Sequence, residues 1–182
     1  MTDNRKKALF ILGQLNNLDL EWIIKKGRKE KIKIGHILIH EGRQIDALYI
    51  VLSGTLSVLM ESNSNKELAQ ISSGEIVGEI SFLDTRPPLA TVKAIEESQL
   101  LAIPRMQLSA KLQQDMGFAA RFYKGISLCL SDRMRGTVRL LEYGRDIEEH
   151  IMDQQEDVNP SVLENLALAQ AKFNWLLESA TG

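Results

Sequence analysis

Between Arg28 and Ile103 the sequence alternates short apolar runs with turn residues, and few folds accommodate that pattern. The runs are Lys31-Ile32-Lys33-Ile34, Ile37-Leu38-Ile39, Leu48 to Leu52, Leu56 to Met60, Leu68 to Ile71, Ala90 to Ile95 and Leu100 to Ile103. Each is of strand length with period-two or short continuous apolar character. Seven strands in about 75 residues predict a closed barrel or sandwich of jelly-roll type. Ser53-Gly54 reads as a hairpin turn between the third and fourth runs, and Gly35, Gly42, Gly74 and Gly78 punctuate the others.

The flanks are helical. Asn16-Asn17-Leu18-Asp19 opens a short helix with capping residues, and Lys25-Lys26-Gly27 closes it. Beyond Pro104, which suits a first helical turn, Phe118, Phe122, Ile126, Cys129, Leu130, Met134, Val138 and Leu141 recur at three- and four-residue steps. They draw one stripe on a helix of about 28 residues, longer than a small barrel can cover. A second copy of the helix is the simplest cover for the remainder, so Phe122, Ile126, Cys129, Leu130 and Met134 are expected to form a homodimer helix. A polar linker from Asp153 ends at Pro160, and Ser161 is read as the cap of a last amphipathic helix from Val162 to Leu177. The expected organisation is a helical segment 1–27, a β-barrel sensor 28–112, a long dimerisation or lid helix 113–144, and an acidic linker with a C-terminal helix 145–182.

Composition excludes several classes. With 182 residues, 44% hydrophobic and 25% charged, the chain should fold around one core. Its longest apolar runs fall far short of the roughly twenty residues of a membrane span. The charged N-terminus is not followed by a secretory signal, and the single Cys129 suits a reducing compartment, so a cytoplasmic location is expected. Net charge is −2, with nine Lys or Arg against four acids in residues 1–33 and eight acids against one Arg in 142–164. Both charged runs read as solvated faces, or as a basic face that docks an anionic partner.

His36, His40 and Glu41 raise the question of a metal site. On a strand His36 and His40 would lie about 13 Å apart, too far to share one ion. No metal is expected. Ser127, Ser131 and Asp132 have no histidine beside them in the pattern, so no catalytic residue and no enzyme activity are expected.

The most informative stretch is Gly74 to Ala94. Gly78 lets backbone approach a ligand closely, Glu79 can accept a hydrogen bond from a ribose hydroxyl, and amides at the start of a Ser81–Leu83 turn can hold a phosphate. With Gly35-His36-Ile37-Leu38-Ile39-His40-Glu41-Gly42 and Asp46 to Val58 upstream, the segment resembles the cyclic nucleotide-binding domain family. That family includes catabolite-activator-type regulators, regulatory subunits of cyclic-AMP-dependent kinase and nucleotide-gated channels. The resemblance runs from about Leu18 to Leu141. It implies an eight-stranded jelly roll, a phosphate-binding cassette in which Glu79 holds the ribose, and a long helix that closes over the ligand or pairs two subunits. Cyclic AMP or cyclic GMP is the implied ligand, at Gly78, Glu79, Ile80, Ser81, Arg86, Leu89 and Ala90.

One departure from the family pattern stands out. Where its nucleotide-binding members carry arginine and then alanine or serine, this chain has Pro88 and Leu89. A charge-assisted contact of roughly 1.5 to 3 kcal/mol and a backbone donor are both lost, enough to weaken binding about tenfold to a hundredfold. Arg86 is placed to compensate, because residues i and i+2 of an extended chain point the same way about 6.6 Å apart. The competing reading makes Arg86 a solvated loop charge paired with Asp84. The family's transcription regulators continue into a winged helix-turn-helix, whereas the residues after Gly144 are few and acidic, so direct DNA binding is not expected. Two functions follow: a ligand-sensing regulatory module relaying to a protein partner through its helices, or a degenerate barrel that serves as a dimeric interaction scaffold.

Overall fold

The computed structural model describes residues 9–143 and 160–181. Among the described residues there are eight strands: β1 Arg28–Ile32, β2 Ile37–Ile39, β3 Ala47–Ser53, β4 Thr55–Met60, β5 Lys66–Ser72, β6 Ile76–Val77, β7 Thr91–Ala94 and β8 Ser98–Pro104. They form two four-stranded antiparallel sheets, β1-β8-β3-β6 and β2-β7-β4-β5, and build the expected jelly roll. The helices are α1 Leu9–Gln14, α2 Asn17–Lys26, α3 Glu79–Asp84, α4 Arg105–Gln114, α5 Met116–Tyr143 and α6 Pro160–Thr181. The acidic linker expected before the last helix lies outside the described residues.

Alternation along β3 and β8 divides the first sheet between two cores. Val51, Leu100, Val77 and Ile32 face the barrel interior with Ile39, Ile45, Leu56, Ile71, Val92 and Ala94. Leu48, Ile50, Leu52, Leu101 and Ile103 face the helices, where they meet Leu20, Ile23, Leu108, Phe118 and Phe122. Burial on both faces is why residues 47 to 52 read as an unbroken apolar run.

Three details differ from the sequence reading. Ser53-Gly54 is a corner, not a hairpin: β3 bonds to β8 and β6, whereas β4 bonds to β5 and β7. Gly54 adopts φ +89°, and a Cβ there would lie 2.7 Å from the Glu97 carbonyl oxygen and the Ser98 Cα, so the close strand crossing requires glycine. β1 begins at Arg28 and stops at Ile32, because the chain turns at Ile34-Gly35 with the His36 amide donating to the Lys33 carbonyl at 3.1 Å. β6, the strand beyond the seven expected, is only two residues long and has no period to read.

The expected cap of α2 is a full capping box. Asn16 Oδ1 accepts from the Asp19 amide at 2.9 Å, and Asp19 Oδ2 accepts from the Asn16 amide at 2.8 Å. The buried Asp19 carboxylate also takes a two-pronged donation from Arg121 on α5, at 2.6 and 2.9 Å. α1 lies so close to α5 that a Cβ on Gly125 would be 2.7 Å from the Ile11 Cα. α6 begins at Pro160, one residue before the expected Ser161 cap, and buries Ala169, Phe173 and Leu176 in the helix-side core. Its Lys172 Nζ donates to the Leu15 carbonyl at 2.6 Å, capping the end of α1.

The stripe on α5 turns mainly inward. Phe122 and Ile126 are buried in the chain's own helix-side core and Cys129 is buried as well, so all three are covered without a second copy. Leu130 is partly buried, and Met134, 68% exposed, is the member of the expected dimer set that reaches solvent. α1 and α6 supply apolar cover that helix length alone did not reveal. Burial pushes the Cys129 thiol up to about 11, which leaves almost no thiolate at neutral pH.

Candidate ligand-binding cassette

The cassette starts where β6 runs out against β3, with Tyr49 opposite Val77 and Ile50 opposite Ile76. Gly78 then takes φ +93°, and a Cβ there would come within 2.7 Å of Ile45 Cδ1 and 3.3 Å of the Ala47 carbonyl oxygen. This left-handed residue reverses the chain into α3, and its carbonyl accepts from the Phe82 amide at 3.1 Å. The turn carries Glu79 inward, to 2% exposure.

Glu79 is not alone there. Arg133 of α5 donates from Nη1 to Glu79 Oε1 and from Nη2, at 3.0 Å, to the Ile76 carbonyl. Burial pushes the Glu79 carboxyl above its ordinary value, while the neighbouring guanidinium and a backbone hydrogen bond act in the opposite direction. One charged pair therefore joins the first residue of the cassette helix to the long helix.

Other side chains fix the rest of α3. Arg105, the first residue of α4, donates to the Ser81 carbonyl at 3.0 Å and lies 5.4 Å from the Phe82 ring centroid. Phe82 meets Phe122 of α5 edge-on at 6.0 Å. Ser81 is buried beside this clamp. Ile80 faces outward and, with Leu83, Asp84, Leu130, Arg133, Met134 and Val138, lines an open, largely apolar groove of about 510 Å³ between α3 and α5.

The far side of the cassette is different. α3 ends at Thr85 with φ +60°, and Gln44 Nε2 donates to the Thr85 carbonyl at 3.2 Å. Arg86 turns back to Asp84: its amide donates to Oδ1 at 3.0 Å and its Nε to Oδ2 at 2.7 Å. Those bonds from Arg86 hold the Asp84 carboxyl below its ordinary range. The Arg86 side chain is 81% exposed. The Pro88 carbonyl accepts from the Gly42 amide at 2.9 Å, Leu89 projects into solvent at 77% exposure, and Ala90 is half-buried just before β7. Thus Gly78, Glu79 and Ser81 gather at the inner corner, Ile80 lies on the groove, and Arg86 and Leu89 stand on the outer rim.

Residues 29–115 match the cyclic nucleotide-binding domain. That segment belongs to the cyclic nucleotide-binding domain family. The domain is a binding module and itself non-catalytic, and its members typically bind cyclic AMP or cyclic GMP. The chain is similar to the N-terminal domain of a transcriptional regulator from Streptomyces coelicolor A3(2), with 26% identity, a TM-score of 0.59, and coverage of 74% of this chain and 95% of that one. A cyclic nucleotide-binding domain from Methylobacillus flagellatus KT shares the fold at a TM-score of 0.65 and 19% identity, covering 84% and 85% of the two chains. Enzymes contain the domain as well: the lysophospholipase nte1 of Neosartorya fischeri is 32% identical over 123 residues, 65% of this chain and 7% of that protein. The chain thus spans less than a tenth of the length of such relatives.

Arg133 was missed in the sequence, yet it left a signal there. It falls seven residues after Ile126 and four after Cys129, so it sits on the buried stripe of α5, where an arginine requires an anionic partner. Arg105 gave no comparable signal. Among the described residues no group of three His, Cys, Asp or Glu side chains forms a metal site, and His36 and His40 are both exposed at the ends of β2. No described helix is long and apolar enough to cross a membrane.

Proposed function

We propose that the chain is a cytoplasmic, non-catalytic regulatory module in which cassette occupancy is sensed at Glu79 and relayed through Arg133 to α5. The carrying observation is the buried Glu79–Arg133 pair, because a ligand hydroxyl that hydrogen-bonds Glu79 must compete with Arg133 or add to it. Either event changes the force holding α5 against the cassette. The ligand is a cyclic nucleotide, cyclic AMP or cyclic GMP, bound at Gly78, Glu79, Ile80, Ser81, Leu89 and Ala90. Arg86 exchanges its pairing with Asp84 for the ligand phosphate. The exposed strip of Ile80, Leu83, Met134 and Val138 then serves as the output surface, for a second copy of the chain or a protein partner.

The rival reading, a barrel that binds no nucleotide and acts as a dimeric scaffold, is favoured by one specific observation. The cassette position that resembles the family's phosphate-gripping arginine is Pro88, and the neighbouring Arg86 is already bonded to Asp84. Thermal unfolding with and without millimolar cyclic AMP and cyclic GMP separates the two. A ligand at a hundred times its dissociation constant adds about 2.7 kcal/mol of stability, a rise of several degrees. A rise that Arg86→Ala removes supports the sensor with a relocated phosphate grip; no rise with either nucleotide supports the scaffold.

A further inference from the structure

β1 is the outermost strand of the first sheet, so every second residue along it directs its N–H and C=O away from any partner strand. The same segment carries an unbalanced charge. Lys25, Lys26, Arg28, Lys29, Lys31 and Lys33 are all exposed, and none forms an ion pair among the described residues. In a chain of net charge −2 this is a local concentration of six cations in nine positions, with Glu30 the one acid between them.

The fold brings four of these cations to one side. Lys29 stands opposite Leu101 and Lys31 opposite Gln99 on β8. Leu101 belongs to the helix-side core, so Lys29 and Lys31 share the helix side of the sheet edge. α2 ends there too: a Cβ on Gly27 would lie 2.6 Å from Leu101 Cδ1, which puts Lys25 and Lys26 at the start of the same edge. The result is a hydrogen-bonding ridge flanked by ammonium groups.

We propose that this edge is a docking site for an acidic peptide segment of a partner protein, which binds in extended conformation as an added strand beside β1. An acidic extended peptide uses both features at once, its backbone against the open edge and its carboxylates against Lys29 and Lys31. An anionic membrane would engage the charges and leave the ridge unused. The inference is independent of what the cassette binds.

The test uses the full chain and a fluorescein-labelled peptide of about twelve alternating Glu and Val residues, read by anisotropy. Binding is expected to weaken about tenfold between about 50 mM and about 300 mM salt. It should weaken at least about tenfold in the exposed double variant K29E/K31E, whose thermal midpoint stays unchanged. The bound peptide should slow hydrogen exchange at the outward amides of β1. Equal binding by K29E/K31E, binding without protection of β1, or binding to phosphatidylserine vesicles in place of the peptide would each overturn the proposal.

Discussion

Arg133, fifty-four residues downstream of Glu79, donates to that buried carboxylate from one guanidinium nitrogen and holds the Ile76 carbonyl with another. The pair bridges the turn where the ligand cassette begins and the helix that leads out of the domain. Phe82 against Phe122 makes a second, apolar bridge between the same two elements. The cassette helix and α5 are therefore joined by direct contact at two points.

Replacing Arg133 with methionine keeps much of the side-chain volume and leaves Glu79 buried without its cation. Breaking a buried pair from one side costs about 3 to 5 kcal/mol. Urea unfolding of Arg133→Met should register a loss in that range, and the double variant Glu79→Gln/Arg133→Met should recover much of it.

Acidity should matter in a defined direction. Burial holds the folded Glu79 pKa above its reference value of 4.5, so the folded state binds the proton more tightly than the unfolded chain. The contribution of Glu79 is then fully present below about 4.5 and is lost as pH rises through the folded value. Removing Arg133 raises that value further and deepens the loss. Stability measured across mildly acidic to neutral pH should fall more steeply in Arg133→Met than in the parent, and Glu79→Gln should remove this component.

Restoring the cassette cation is the direct test of the Pro88 departure. The double change Pro88→Arg/Leu89→Ala returns a charge-assisted contact and a backbone donor, and should tighten cyclic AMP binding by about tenfold to a hundredfold in a calorimetric titration. An unchanged affinity would mean that Pro88 is not what limits the site.

The Asp19 carboxylate has two tasks that substitution can separate. Asp19→Ala removes the reciprocal half of the α2 capping box, the bond from the Asn16 amide, worth about 1 kcal/mol, together with the bonds from Arg121, worth about a further 1 to 2. Asp19→Asn keeps an acceptor for the cap and loses the charge. Its destabilisation in urea should be clearly the smaller of the two.

The sequence was most legible where local chemistry decides the structure. The capping pattern at Asn16 and Asp19, the alternating strands and the long helix all follow from side chains a few residues apart. What escaped was set at a distance. Whether Ser53-Gly54 closes a hairpin or turns a corner depends on which strands flank β3 and β4, and an apolar period carries no such information. The exposed start of β1 is lysine-rich and has no apolar pattern, while β6 is too short to show one. Phe122 and Ile126 carried a correct apolar stripe, but its cover, which includes α1 and α6 of the same chain, was decided by tertiary packing. The corner of Gly78, Glu79 and Ser81 was marked by residue type alone; its partner Arg133 was visible only as a charge out of place on an apolar stripe.

In the proposed relay, cassette occupancy reaches α5 through Glu79 and Arg133. Hydrogen exchange of the full chain, with and without millimolar cyclic AMP or cyclic GMP, tests it most directly. Residues 78–90 and residues 126–134 of α5 should change protection together, and Glu79→Gln should abolish both changes. A response confined to residues 78–90, with α5 unaltered, would contradict it.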